Sequence, residues 1–372
     1  MQAIYGFKQI ENANFEVALD QVQKMFSDSE PDAQRAEGYT KLAHLLFEEN
    51  YKNATFLQED APKVVYDVVI NSINAYRQQV RNDRRNTELQ MLTSVDKIYD
   101  LYLSVLQLLI GIAEMSVTVA GEKKIVVQEI IADARLESVF NDNRIIKALQ
   151  NSQAFQNKRV RNNIVWEQAA IRKFYREVVR KNEIFMDYLK SATTDLEADI
   201  KLIEYVVKKL IFKDENLGLI FEEKDVYWVE NEGTVRSMVQ KTIKSVDQNG
   251  KIELSEMSKS WEEDRIFFKD LYNFTLDEDP KHETYVAEKI KNWDVDRVAL
   301  TDKVMINMAI AEMLHFPSIP VKVTINEYIE LAKEYSTPKS KQFINGILDA
   351  ISQEFTAKKL IRKSGRGLMD NK

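Results

Sequence analysis

Glycine and proline are scarce in this chain, which has only 10 Gly and 6 Pro among 372 residues. Globular proteins usually have roughly 7% Gly and 5% Pro, and these residues supply most of the turns that a sheet protein needs. Long helices with few connections are therefore expected. Because a chain of this length exceeds what one core usually organises, the sequence predicts an all-α protein built of several multi-helix bundles.

Apolar residues recur at helical spacing almost everywhere. The clearest run extends from Val95 to Ile110, and a second extends from Val64 to Tyr76, directly after Pro62. Apolar side chains three and four residues apart share one face of a helix, and proline suits a first helical turn. Both runs are therefore predicted to be helices.

Polar stretches mark the expected breaks. The runs SDSEPDA (27–33) and RNDRRN (81–86) are interpreted as connections or exposed helix faces. Asn249-Gly250 predicts a turn, with no support for a strand pair around it, and Pro280 suits the start of a helix.

No pattern in the sequence indicates catalysis or metal binding. The chain has no Cys and three scattered His, and it lacks phosphate-binding glycine loops and nucleophile elbows. Acidic clusters without a tuning neighbour are interpreted as solvated helix faces. We therefore expect a non-enzyme with no catalytic residue, metal, cofactor or small-molecule substrate.

Charge and hydropathy indicate where the protein acts. The start has no secretory signal, and the most apolar stretch, Leu101–Ala113, is interrupted by Gln107 and is shorter than the ~20 apolar residues of a membrane span. A cytoplasmic protein without membrane contact is expected. The net charge of −7 argues against a general nucleic-acid coat, so RNA binding must be local. The basic tail at 358–372 is interpreted as a frayed, solvated terminus.

The segment from Asn292 to Ile351 predicts three helices with short connections. The first has a broad apolar surface and is ended by Pro317 and Pro320. The second runs from about Thr324 to Tyr335. Thr337-Pro338 is then typical of an N-cap followed by proline at the first position of the third helix.

This segment resembles the C-terminal half of the NusB family. The motif residues are Glu312, the F-P-S-I-P that follows it, V-K-V-T-I-N-E-Y-I-E-L-A-K at 321–333, and S-K-Q-F-I-N-G-I-L-D at 340–349. The opening MQAIYGF is similar to that family's first helix. The segments SVDKIYDLYLSVLQLL and NIVWEQAAIRKFYREVV and the final GRGL are similar to its long members.

The resemblance implies a division of the chain. Residues 1–260 would form an extended helical N-terminal region, with the first NusB-like helix at 1–9 and an insertion at about 10–90. Residues 261–357 would form the NusB-type helical domain, followed by the basic tail. Members of the family have an Arg-rich arm before the first helix. Because this sequence starts within the helix motif, we hypothesise that it belongs to a longer reading frame.

The resemblance also implies a function. NusB-like proteins pair with NusE, a small-subunit ribosomal protein, and the pair binds boxA in ribosomal RNA transcripts and helps RNA polymerase pass terminators. By position, Asp302 would face NusE. The residues expected to face single-stranded RNA are Gln2, Tyr5, Lys339, Ser340, Lys341 and Phe343.

Simpler interpretations stay open for these residues. Phe343 and Tyr5 are equally suited to core packing, and Lys339 and Lys341 to an ordinary solvated face. Asp302 is equally consistent with a solvated carboxylate. For the whole chain, the alternatives are a structural or protein-interaction scaffold with little RNA binding, or a NusB-like domain of the kind fused to RNA methyltransferases. No catalytic domain supports the last.

Overall fold

A computed structural model of the chain describes residues 1–29, 32–52, 61–123, 139–191, 195–289 and 298–371. Every regular element in those ranges is helical, which confirms the predicted all-α class. The chain forms two compact units. The first combines residues 1–92 with 262–372, and the second comprises residues 93–261.

The N-terminal part of the first unit is a set of three helices. They are α1 (Gln2–Ser29), α2 (Ala33–Asn50) and α3 (Lys63–Lys123), of which α3 continues into the second unit. Asp32 caps α2 by accepting from the backbone N–H groups of Gln34 and Arg35. One apolar core joins the three helices, formed by Ala18, Val22, Phe26, Ala43, Leu46, Phe47, Val65, Val69, Ile73 and Tyr76.

The second unit surrounds the apolar half of α3. From Leu101 to Met115 almost every side chain of this helix is buried. Shorter helices cover it: α4 (Arg144–Asn151), α5 (Gln153–Arg161), α6 (Gln168–Phe174), α7 (Glu183–Lys190), α8 (Leu196–Tyr205), α9 (Glu215–Lys224) and α10 (Trp228–Lys244).

The C-terminal part of the first unit is a bundle around one central helix. That helix, α13, is largely apolar and is covered by its neighbours, and its residues 304–313 are all buried. Ile4 of α1 belongs to the same core. The bundle helices are α11 (Trp261–Asp277), α12 (Asp279–Lys289), α13 (Leu300–His315), α14 (Val321–Tyr335) and α15 (Pro338–Ala357).

Several predicted features are confirmed. Thr337 caps α15 with Pro338 in its first turn, Pro280 lies in the first turn of α12, and Gly250 makes a turn with φ of +75°. Residues 292–297 of the recognised segment lie outside the described residues, as do residues 30 and 31 of the SDSEPDA run.

Some predicted limits differ from the structure. The first helix does not end at residue 9 but continues to Ser29. Of the two alternatives for RNDRRN, the exposed helix face is confirmed, since the run lies inside α3. The second difference is at Pro320, which acts as the N-cap of α14, so that helix begins at Val321 and not near Thr324. The compact units cut the chain at 92/93 and 261/262. The division into 1–260, 261–357 and 358–372 stays a prediction.

Part of α3 is apolar enough to cross a membrane by length and composition. Within Lys63–Thr118, an 18-residue window reaches a mean hydropathy of 1.6, although the sequence had suggested no such span. Inside the protein 78% of that window is buried. The apolar face of α3 therefore serves as the core of the second unit.

Candidate nucleic-acid and partner interface

The N-terminus of α15 brings four of the predicted RNA-facing residues together. The Thr337 hydroxyl accepts from the Ser340 backbone N–H at 3.2 Å and lies 2.9 Å from the Ser340 hydroxyl. Lys339 is exposed and Lys341 is half-buried. The positive end of the helix dipole and two lysines meet here, an arrangement that favours an anion such as phosphate.

Phe343 has a mixed environment. It lies one turn into α15 and packs against the bundle core, in which Ile344 is fully buried. The ring is half-buried, so part of it remains at the surface. The structure thus assigns Phe343 a packing role, with part of its ring at the surface.

Asp302 lies inside the bundle, although the sequence placed it at the partner surface. The residue is 4% exposed, and its carboxylate accepts a hydrogen bond of 2.6 Å from the Ser336 hydroxyl. Ser336 ends α14 and directly precedes Thr337. Asp302 therefore fixes the junction between α14 and α15, on which the N-terminus of α15 depends.

Gln2 and Tyr5 lie on the outer face of α1. Both are exposed, and the Tyr5 hydroxyl accepts from Gln9 Nε2 at 3.2 Å. On the opposite face, Ile4 is 3% exposed within the bundle core. A polar face and a buried face are what an amphipathic helix provides, so α1 displays Gln2 and Tyr5 on the bundle that also carries α15.

A salt bridge holds this helix to the bundle. Lys8 Nζ lies 2.8 Å from Asp279 and 2.9 Å from Glu11. Burial lowers the pKa of Lys8, but the two carboxylates outweigh it, and the pKa is raised overall. Sequence reasoning missed Lys8 because its partner Asp279 lies far along the chain.

The motif residue Glu312 is structural. It is 7% exposed on α13 and accepts from the Thr324 hydroxyl at 2.7 Å and from the Tyr328 hydroxyl at 3.4 Å. Burial raises the pKa of Glu312. Buried carboxylates are costly unless they are hydrogen-bonded, so this network explains why two hydroxyl residues of α14 face Glu312.

The basic tail is docked and not frayed. Lys363 Nζ donates to the Phe316 carbonyl and the Ser364 N–H donates to the Pro317 carbonyl, both at 2.9 Å. A Cβ added at Gly367 would overlap the Pro317 carbonyl oxygen, and Gly365 has φ of +55°. Gly367 is therefore required by the close approach of the Pro317 carbonyl, and the left-handed conformation of Gly365 favours glycine.

Comparison with known proteins places the family in one part of the chain. Residues 233–353 match the NusB family. The transcription antitermination protein NusB of Chloroherpeton thalassium is 51% identical over 88 residues, which are 24% of this chain and 42% of that protein. The protein of the same name from Salinibacter ruber is 37% identical over 105 residues, 28% of this chain and 66% of that protein.

A third relative extends the comparison. The transcription antitermination protein NusB of Natranaerobius thermophilus is 42% identical over 74 residues, 20% of this chain and 53% of that protein. The chain thus spans between 42% and 66% of the length of these relatives. None of the solved structures matches it. In its C-terminal region, at residues 233–353, the chain carries a NusB family domain.

Proposed function

We propose that this protein is a cytoplasmic transcription antitermination factor that binds boxA-type RNA of ribosomal RNA transcripts together with NusE, a small-subunit ribosomal protein. In that role it joins the antitermination complex of RNA polymerase and promotes read-through. It acts by binding and not by catalysis. The observation that carries the proposal is the N-terminus of α15, where Lys339 and Lys341 meet the capped helix end within a NusB family domain.

The residues have distinct roles in this proposal. Lys339 and Lys341 contact phosphate, and the backbone at Ser340 adds the positive end of the helix dipole. Phe343 and Tyr5 offer aromatic surface to unstacked bases, and Gln2 adds a polar contact beside Tyr5. Asp302 contributes to partner binding by positioning the α14–α15 junction.

The alternative is a NusB-like scaffold that binds proteins and has little affinity for RNA. It is favoured by the net charge of −7, since nonspecific RNA binding is driven by cations. The two functions differ in one measurable property. A scaffold would bind NusE without a gain in RNA affinity, whereas the adaptor gains affinity for boxA-type RNA when NusE is present.

The test is Lys339→Glu in the full chain. Reversing one charge beside a phosphate should weaken binding of boxA-type RNA by about tenfold, measured by fluorescence anisotropy with and without NusE. Because Lys339 is exposed, the melting temperature should stay nearly unchanged. If Lys339 and Lys341 each neutralise one phosphate, together they contribute roughly −1.4 to the log–log salt slope on single-stranded RNA.

A matched control is Lys241→Glu, an exposed lysine on α10 that changes the net charge equally. It should leave RNA affinity unchanged. An equal loss of RNA affinity in both variants would attribute the effect to overall charge and contradict a phosphate contact at Lys339. A wild-type protein that binds NusE but discriminates poorly between boxA-type RNA and a scrambled RNA would favour the scaffold.

A further inference from the structure

The residues that follow α15 carry a dense cluster of positive charge. From Lys358 to Arg366, KKLIRKSGR, five of nine residues are cationic, and no acidic residue occurs between Phe355 and Met369. This density contrasts with the net charge of −7 for the whole chain. We call residues 358–366 the cationic segment.

The cationic segment has a fixed backbone. The Leu360 N–H donates to the Phe355 carbonyl at 2.8 Å and the Lys359 N–H donates to the Thr356 carbonyl at 3.1 Å, so α15 ends in a Schellman motif. Beyond it, Ile361 packs on the bundle core, and the 3-10 helix Gly365–Asn371 contacts α14. A preorganised surface binds with less loss of conformational entropy than a frayed tail.

Two of the five cations have structural partners. Lys358 forms an ion pair with Glu354, and Lys363 donates to the Phe316 carbonyl. The other three, Lys359, Arg362 and Arg366, are exposed, and within the described residues none of them forms an ion pair. Docking therefore explains two cations and leaves three displayed to solvent.

The helix dipole does not account for those three either. A lysine in the last turn is favoured by the negative helix end, which is the setting of Lys358. Lys359 takes the left-handed conformation, with φ of +56°, at a position where glycine is usual. Arg362 and Arg366 lie beyond the helix, where the dipole has decayed. A lysine at a glycine position costs backbone strain, for which neither docking nor the dipole compensates.

We propose that the cationic segment binds the phosphate backbone of single-stranded RNA through Lys359, Arg362 and Arg366. Planar guanidinium groups suit phosphate oxygens, and the exposed segment offers no aromatic ring for reading bases. The contact is therefore independent of base sequence and adds affinity to RNA that the N-terminus of α15 selects. The choice of RNA over an acidic protein rests on the proposed function.

The test compares the full-length triple variant Lys359→Gln, Arg362→Gln, Arg366→Gln with a control triple, Lys213→Gln, Lys241→Gln, Lys259→Gln. The control residues are exposed in the second unit, and both variants lose the same charge. The probes are a boxA-type single-stranded RNA, a scrambled RNA of equal composition, and a polyglutamate peptide as a model of an acidic protein. Affinity is measured by anisotropy from 50 to 300 mM salt.

Three phosphate contacts on single-stranded RNA correspond to a change in salt slope of about 2 and to roughly a hundredfold in affinity at 0.1 M salt. The cationic-segment variant should lose this affinity and this part of the salt slope on both RNAs. The RNA affinity of the control triple and the melting temperatures of both variants should stay unchanged. If the variant binds RNA like the control, or loses only polyglutamate binding, the proposal is overturned.

The outcomes also separate this proposal from the proposed function. If the wild type prefers boxA-type RNA and the cationic-segment variant binds RNA as the wild type does, the result supports the antitermination role and contradicts RNA binding by the cationic segment. If the wild type binds both RNAs equally and the cationic-segment variant loses this binding, the result supports phosphate binding by the cationic segment and contradicts selection of boxA. A wild-type protein that binds neither RNA overturns both.

Discussion

The imidazole of His282 occupies an unusual position for an ionisable group. It is 0% exposed on α12, and neither ring nitrogen forms a hydrogen bond within the described residues. Glu278 Oε2 lies 3.4 Å from Nε2 but lacks hydrogen-bond alignment. Burial disfavours the charged form and lowers the pKa of His282 to about 4, even though Glu278 and Asp279 act in the opposite direction.

This burial predicts a loss of stability in mild acid. Unfolded His282 takes up a proton near pH 6.5, whereas the folded residue does so only near pH 4. Stability is therefore complete above pH 6.5 and falls as the pH decreases toward 4, by about 2 kcal/mol at pH 5. Urea unfolding at pH 7.5 and pH 5 measures this decrease in the free energy of unfolding. The decrease should be present in the wild type and absent from His282→Leu.

His44→Gln provides the control for that pH dependence. His44 lies at the side of α2 next to Glu48, in a partly exposed position. Its substitution should leave the wild-type decrease between the two pH values in place. An unchanged decrease in His282→Leu would contradict the assignment to His282.

Single residues also show what the sequence could not predict. His282 and His315 looked unrelated, yet His315 lies 3.0 Å from Glu278 and stacks on Phe274 with ring centroids 4.0 Å apart. Asp302 looked solvated or partner-facing, and its hydrogen bond to Ser336 spans 34 positions. Such pairings depend on how helices pack, which local spacing does not encode. The predicted RNA contacts at Lys339 and Lys341 stay predictions.

At the scale of elements, the features that were predicted correctly are those set by neighbouring residues. The Thr337 cap and the Gly250 turn depend only on neighbouring residues, and both were predicted correctly. The left-handed cap after α15 was not predicted, because Lys359 stands where a glycine would have marked it. The docking of the tail was missed because it depends on Pro317, which is far away along the chain.

The strained cap makes a specific prediction. Lys359→Gly should stabilise the first unit by about 1 kcal/mol, because a residue with a Cβ pays roughly 1–2 kcal/mol in the left-handed region while glycine loses somewhat more entropy on folding. Chemical denaturation measures the gain. The same variant should bind RNA more weakly, which would separate the stability of the cap from its charge.

Lys358→Gly is the matched control, one position earlier. Lys358 has φ of −78° and an ion pair with Glu354, so glycine relieves no strain there and removes a contact. We expect this variant to be less stable than the wild type. A gain of equal size at both positions would show that the conformation of Lys359 is not the cause.

At the scale of the whole molecule, the helical class followed from composition, but the grouping of helices did not. Residues 1–92 and 262–372 share one compact unit although 169 residues of the second unit, 93–261, separate them in sequence. Ile4 enters the same core as Ile344. Periodicity identifies a buried face but not the helix that covers it, so this arrangement required the structure.

The apolar half of α3 gives the last prediction. Leu109 is 0% exposed in the core of the second unit, so Leu109→Ala should cost about 2–5 kcal/mol through lost burial and the cavity left behind. Fluorescence of Trp166 and Trp228, both buried in that core, reports the unfolding in urea. Val117→Ala on the same helix is the control, since Val117 is 44% exposed and its loss should change stability by less than about 0.5 kcal/mol.

If α3 instead met lipid, the wild type would float with phospholipid vesicles and Leu109→Ala would have little effect in urea. Because 78% of the apolar window is already covered by protein, we expect no flotation and a clear loss of stability.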